Sequence, residues 1–117
     1  MAEPLRDPKE LQAQVESFQR MQRQVSIIAS QRQQMLMQIE ELKMAQEYLS
    51  GAKADAQIYK AIGNILVQTD KKGADKEIGE RIEVFEVREK ALKKQEEGGR
   101  QKLDGMRAEI EKVVSQK

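Results

Sequence analysis

The chain has 117 residues, a net charge of +1 and no Cys, His or Trp. Thiolate and imidazole chemistry is therefore excluded, and we expect no catalytic site, no metal site and no cofactor. Charged residues make up 35% of the chain and aromatic residues only 3%, which favours long solvated helices over a compact core. Neither nucleic acid nor a membrane is indicated by the near-neutral charge and the lack of a long apolar run. This composition is typical of a cytoplasmic chain that is not an enzyme.

The first long helix is predicted over about residues 9–50, a stretch of good helix formers without Pro or Gly. Two sets of positions, three residues apart, each repeat every seven residues, which is the seam spacing of a coiled coil. These positions are Phe18, Val25, Arg32, Ile39 and Gln46, and Met21, Ile28, Met35, Leu42 and Leu49. All but Arg32 and Gln46 are apolar. Gly51 is predicted to end the helix in a left-handed conformation.

The second long helix is predicted over about residues 75–116, with Asp75 as its N-cap. Seam positions again recur at alternating steps of four and three. They are Ile78, Ile82, Phe85, Glu89, Leu92, Glu96, Gly99, Leu103, Met106, Ile110 and Val113. Each interior Gly costs about 0.5–1 kcal/mol relative to Ala, so the pair Gly98-Gly99 is predicted to be a weak point or a bend.

An antiparallel pairing would bring the two seams together because the helices are similar in length. In that register Arg32 lies beside Glu96, so these charged seam positions meet, which supports the pairing because an unpaired charge in an apolar seam is costly. Ile28 would then face Gly99 in an under-packed layer. We predict a mainly α fold, an antiparallel coiled-coil hairpin of two long helices joined by a β-hairpin linker, as a single domain over residues 1–117.

The linker over about residues 57–70 has an extended pattern rather than a helical one. Two runs rich in β-branched residues flank Gly63-Asn64, which predicts a β-hairpin with a two-residue turn. One face would carry Ile58, Ile62, Ile65 and Val67, and the other Tyr59, Ala61 and Leu66. A lone hairpin with two apolar faces is marginal in water, and its edges are open to further strands. We therefore interpret it as an assembly element, although it could instead only cap its own coiled coil.

This arrangement of helix, hairpin and helix resembles the β-type subunits of prefoldin, a family of coiled-coil chaperones. The most specific stretch is DAQIYKAIGNILV at residues 55–67, which is similar to the family's linker signature. Residues 82–89, IEVFEVRE, running into KQEE at 94–97, resemble the start of the family's second helix. Chain length and the single hairpin favour the β-type, since the α-type subunit has a longer linker with two hairpins.

The resemblance implies a hexamer of two α-type and four β-type subunits. In it the hairpins form a β-barrel platform that carries six coiled coils. Family members hold unfolded or nascent proteins between the free tips, without ATP and without a cofactor, and pass them to a cytosolic group II chaperonin.

The predicted tips contain both helix ends that are remote from the linker. Helix ends fray, and Gly105 weakens the second helix there, so apolar side chains at the tips are candidates for contact with apolar segments of a client. These candidates, called the tip cluster below, are Leu11, Val15, Phe18, Met21, Ile110, Val113 and Val114. Ordinary packing at the end of the seam is the alternative for each of them. Nearby charges are weaker candidates for contact with the chaperonin: Lys9, Glu10, Glu16, Glu109, Glu111, Lys112 and Lys117.

Two other classes of function fit the sequence less well. A purely structural coiled-coil scaffold or tether, such as a parallel dimer, would not explain the hairpin signal or the match of Arg32 with Glu96. Nucleic-acid binding would rest on Arg20, Arg23 and Arg32 in a stretch without acidic residues, which is a weak basic footprint on a near-neutral chain.

Overall fold

The computed structural model describes residues 8–115. The elements in chain order are helix α1 (Pro8–Ser50), strands β1 (Ile58–Ile62) and β2 (Ile65–Thr69), and helix α2 (Lys71–Ser115). The predicted fold class, two long helices joined by a β-hairpin, is confirmed. The end predicted for the second helix, residue 116, lies outside the described residues.

The contacts within the chain group into two compact units. Of the described residues, unit 1 contains 8–32 and 91–115, and unit 2 contains 33–90. Each unit therefore includes part of α1 and part of α2, and unit 2 also includes the hairpin. A single domain over residues 1–117 stays a prediction. No helix in the described part of the chain has the length and apolarity needed to cross a bilayer.

The predicted seam is the interior of both units. Every seam position named in either helix is buried or half-buried. Val25 and Val113 are buried in unit 1, and Ile39, Leu49 and Ile82 in unit 2. The heptad positions identify the buried face because residues three and four apart lie on the same side of a helix.

The layer around Gly99 differs from the prediction. A Cβ atom at Gly99 would lie only 2.6 Å from Val25 Cγ2, so Val25, and not Ile28, packs over this glycine. The layer is tightly packed rather than under-packed, because the missing side chain lets the helices approach. The predicted weak point at Gly98-Gly99 does not interrupt α2, which is continuous from Lys71 to Ser115.

Helix α2 begins four residues earlier than predicted. The backbone N–H of Gly73 donates a hydrogen bond to Asp70 Oδ1 at 2.6 Å, and the N–H of Ala74 donates to the Asp70 carbonyl oxygen at 2.9 Å. Asp70 is therefore the N-cap, and the assignment of Asp75 was wrong. An Asp side chain that accepts from the third residue after it satisfies one of the free N–H groups of the first turn.

The C-terminal end of α1 is stabilised by a side chain from α2. Gly63 is the only described residue with a positive φ, so the left-handed conformation predicted for Gly51 is absent. Instead, Lys71 Nζ donates to the carbonyl oxygens of Ser50 at 3.3 Å and Ala52 at 2.8 Å. A cation at these free carbonyl groups is also favoured by the helix dipole.

Candidate assembly and client-binding surfaces

The hairpin pairs its two strands in the predicted register. The strands are antiparallel, with the opposed pairs Ile58 and Thr69, Lys60 and Val67, and Ile62 and Ile65 on one face. The prediction that Ile58, Ile62, Ile65 and Val67 share a face is therefore confirmed. Gly63 has a φ of 58° and Asn64 has no positive φ, as in a type II′ turn, in which only the first central residue is left-handed.

The outer part of the hairpin is apolar and exposed on both faces. Ile62, Ile65 and Val67 are exposed on one face, and Tyr59 and Leu66 on the other. Their exposed fractions range from 37% at Val67 to 70% at Leu66. Concentrated apolar exposure next to unpaired strand edges is typical of a surface that another chain covers.

The base of the hairpin is attached to α2. Lys60 Nζ lies 3.2 Å from Glu77 Oε2, and Ile58 on the same face is half-buried. Lys60 shares its face with Val67 across the strands. One end of this face is thus attached to α2, and the end near the turn is left open.

Most of the tip cluster lies in the seam of unit 1. Val113 is buried. Five further members are half-buried: Leu11, Val15, Phe18, Met21 and Ile110. The Arg107 guanidinium lies 5.9 Å from the centre of the Phe18 ring, within the range of a cation–π contact. Val114 alone in the cluster is strongly exposed, at 53%. The arrangement matches end-of-seam packing for six residues and leaves Val114 exposed.

The two charged seam positions in unit 1 meet as predicted. Arg32 Nη1 lies 3.4 Å from Glu96 Oε2, and Arg100 Nε, one turn further along α2, lies 3.7 Å from the same oxygen. Glu96 is buried, so its charge depends on these cations. The pair indicates the antiparallel register directly, since a shift along either helix would separate the groups.

Sequence reasoning missed two grooves. One, of about 610 Å³, lies in unit 1 and is lined by Gln14, Ser17, Lys102, Gly105, Met106, Glu109 and Ile110. The other, of about 480 Å³, lies in unit 2 at the base of the hairpin, beside Tyr48, Ile58 and Ile78. Gly105 was a signal for the first groove, because a glycine on a helix face leaves space beside it.

Several exposed apolar side chains in unit 2 were also missed. They are Leu36, Met37, Met44 and Tyr48 on α1, and Val84 and Val87 on α2. These positions fall outside the heptad seam, so the periodicity carried no signal for them. Within residues 8–115, no three acidic side chains come together as a potential metal site. The chemistry that these surfaces offer is apolar contact.

The sequence and the structure of this chain are both similar to those of known proteins. A family model described as "Prefoldin subunit" matches residues 12–117. Prefoldin subunit beta of Saccharolobus islandicus is 36% identical over 115 residues, which cover 98% of this chain and 90% of the relative. Prefoldin subunit beta of Thermococcus kodakarensis is 32% identical over 107 residues, 92% of each chain, and the same figures hold for the protein of Pyrococcus abyssi.

A solved structure has the same arrangement. The crystal structure of the prefoldin beta subunit from Thermococcus strain KS-1 matches with a TM-score of 0.84 at 31% sequence identity. The match covers 94% of this chain and 96% of that one. Because it extends over nearly the full length of both chains, the similarity includes the hairpin as well as the helices.

Proposed function

This chain belongs to the prefoldin family as a β-type subunit, and from that premise we propose that it holds non-native proteins for a group II chaperonin without using ATP. Prefoldin subunits are chaperone components rather than enzymes, and β-type subunits form hetero-oligomers with α-type subunits. The proposed assembly is a cytoplasmic hexamer of two α-type and four β-type subunits. Its clients are unfolded or nascent polypeptides, and the helix ends in unit 1 are the proposed contact region.

The exposed hairpin is the observation that carries the proposal. Ile62, Ile65 and Leu66 are each more than half exposed, although burying apolar surface contributes roughly 25 cal/mol per Å². Two strands cannot shield both faces of a hairpin by themselves. Strands from neighbouring subunits would cover these faces and edges, which supports assembly through a shared β-structure.

Client holding is supported by the helix ends in unit 1. Val114 is exposed there, and the neighbouring half-buried residues become accessible when helix ends fray. One such patch would bind weakly. Several patches in one assembly would bind a single unfolded chain more tightly, because each further contact is effectively intramolecular.

Light scattering tests the proposal. A denatured client is diluted into buffer without ATP, in the presence or absence of a hexamer made from this chain and an α-type partner, with the hexamer mass verified beforehand. We expect near-stoichiometric hexamer to suppress scattering. Undiminished scattering in the presence of a verified hexamer would contradict client holding. It would favour the alternative, a structural scaffold that displays coiled coils.

Transfer to the chaperonin needs a separate measurement. A labelled client bound to the hexamer is mixed with a group II chaperonin, and the label is followed by size-exclusion chromatography. We expect the client to move to the chaperonin fraction without ATP. A client that stays with the hexamer would contradict the transfer step but not the holding step.

A further inference from the structure

The hairpin is connected to the two helices of unit 2 in different ways. Only Asp70 separates β2 from α2, whereas residues 51–57 separate α1 from β1. Each residue has two soft backbone dihedral angles. A hairpin held by these connections alone could therefore pivot about Asp70 relative to α2.

Apolar packing beneath the hairpin is incomplete. The groove of about 480 Å³ at its base is lined by residues of both helices and of the hairpin, among them Leu42 of α1, Ile58 of β1 and Ile78 of α2. A packed core fixes the orientation of its elements because the side chains interdigitate without voids. Since the groove is open, the orientation of the hairpin depends more on the polar contacts at its base.

Two lysines make those polar contacts. Lys71 Nζ, at the start of α2, donates to the carbonyl oxygens of Ser50 at 3.3 Å and Ala52 at 2.8 Å, which joins the ends of the two helices. Lys60 Nζ lies 3.2 Å from Glu77 Oε2 and joins β1 to α2. Lys60 is the only charged residue in the two strands. It and Glu77 both line the groove, so their ion pair bridges the space that apolar packing leaves open.

From these features we propose that Lys60 and Glu77 are positioning residues for assembly, whose ion pair fixes the angle between the hairpin and α2. Lys60 shares a face with Val67 and with the opposed pair of Ile62 and Ile65, so the pair orients the apolar face that a partner subunit would cover. The proposal rests on assembly through the hairpin. It adds which residues set the direction in which the helices of unit 2 leave the shared β-structure.

Pre-orientation of a binding surface strengthens association. A surface already held in its bound orientation loses less conformational freedom on binding. The contribution of this pair is modest, because both side chains are partly exposed and water weakens ion pairs at a surface. We expect loss of the pair to weaken the binding of each β-type subunit about two- to fivefold.

Distances between spin labels test the orientation. The chain has no Cys, so Gln68→Cys on β2 and Val87→Cys on α2, both at exposed positions, provide two labelling sites. The labelled full-length chain is mixed with an excess of unlabelled chain and measured by double electron–electron resonance. We expect a narrow distance distribution with the wild-type pair and a broader one in Glu77→Gln, which removes the charge but keeps the size of the side chain.

Dilution of the verified hexamer tests the effect on assembly. Mass photometry of unlabelled chains with the α-type partner gives the concentration at which half of the hexamer dissociates. We expect Glu77→Gln to raise this concentration about two- to fivefold without changing the midpoint of thermal unfolding of the chain alone. Exchange of the charges by Lys60→Glu with Glu77→Lys should restore both the distance distribution and the dissociation midpoint.

A second ion pair in unit 2 provides the matched control. Lys43 Nζ lies 3.7 Å from Glu86 Oε1, and this pair has comparable exposure but joins the two helices without involving the hairpin. We expect Glu86→Gln to match the wild type in both measurements.

The outcomes separate this inference from the proposed function. A distance distribution as broad in the wild type as in Glu77→Gln would overturn the positioning role, and so would an exchanged pair that restores neither measurement. Equal weakening of the hexamer by Glu86→Gln would also overturn it, because the loss of any charge would then have the same effect. If the wild-type chain forms no hexamer, the proposed assembly fails, while the label distances still show whether the ion pair orients the hairpin.

Discussion

Gly98 and Gly99 are adjacent in the sequence but have opposite surroundings. Gly98 is exposed and a Cβ atom there would meet nothing within 4 Å, whereas at Gly99 it would lie 2.6 Å from Val25 Cγ2. Gly98 therefore only weakens the helix. Gly99 makes the close packing of Val25 possible, because a side chain at this position would collide with the Val25 methyl group.

Alanine at these two positions should change stability in opposite directions. Gly98→Ala should raise the free energy of unfolding by about 0.5–1 kcal/mol through helix propensity. Gly99→Ala should lower it, because overpacking costs about 1–3 kcal/mol and outweighs that gain. Urea unfolding followed by circular dichroism measures both.

A second substitution is the control for the Gly99 effect. Adding Val25→Ala to Gly99→Ala removes the clashing methyl groups, so the double variant should be more stable than the two separate costs predict. If the two stability costs were strictly additive, the Val25 contact would not be the cause of the loss in Gly99→Ala.

The ion pair between Arg32 and Glu96 could be predicted from sequence because it depends on spacing alone. Each residue was a charged exception in a mostly apolar seam, and one antiparallel register brought both together. The added contact from Arg100 to Glu96 was not predicted, although the spacing of four residues on α2 would have allowed it.

At the scale of elements, the start of α2 depends on a single side chain. The Asp70 carboxylate accepts the N–H of Gly73, whereas Asp75 lies within the helix and is exposed. The sequence did not distinguish them because lysines, which are good helix formers, follow both positions within one or two residues. Only the hydrogen bond identifies the cap.

Replacement of the cap should destabilise the chain by a predictable amount. Asp70→Ala should lower the free energy of unfolding by about 1 kcal/mol, the usual value for loss of an N-cap. Asp75→Ala is the matched control and should have little effect, since exposed substitutions away from such features usually stay within about 0.5 kcal/mol. Thermal unfolding of both variants measures these changes in stability. A larger loss of stability for Asp75→Ala than for Asp70→Ala would contradict the assignment of Asp70 as the N-cap.

At the scale of the whole molecule, the hairpin is expected to control assembly. Ile65→Asp combined with Val67→Asp places two charges on an exposed apolar face, and their desolvation would oppose burial by another subunit. We expect the helical circular dichroism signal to persist and the hexamer with an α-type partner to be lost, as measured by light-scattering mass.

Val87→Asp is the control for the hairpin variant. Val87 is about as exposed as Ile65 but lies on α2, so its replacement adds a charge without touching the hairpin. We expect this variant to retain the hexamer mass. Retention of the hexamer by the double hairpin variant would contradict the assembly role.

The tip cluster offers a test that separates packing from client contact. Val113 is buried and Val114 is exposed, so Val113→Ser should cost about 1–3 kcal/mol of stability and Val114→Ser less than about 0.5. If the cluster holds clients, Val114→Ser should reduce suppression of scattering with an unchanged unfolding midpoint. Unaltered suppression would remove Val114 from the contact surface. Changes at Val15 or Phe18 would alter packing and binding together.

The sequence by itself determined the two helices apart from the start of α2, the seam, the register that pairs Arg32 with Glu96, and the hairpin with its shared apolar face. These features follow from local rules: a helix brings residues three and four apart to one side, a strand alternates its faces, and Gly-Asn forms a tight turn. The family resemblance also rested on a local stretch, residues 55–67.

Only the tertiary structure decided the features that depend on distances between segments. Lys71 stabilises the end of α1 from another helix, Val25 fills the space at Gly99, and Gln14 lies across a groove from Gly105. Periodicity predicted Val113, and not Val114, in the seam, but it did not say how far each tip residue is exposed. That exposure depends on how closely the other helix approaches, and the spacing of residues along one helix carries no information about that distance.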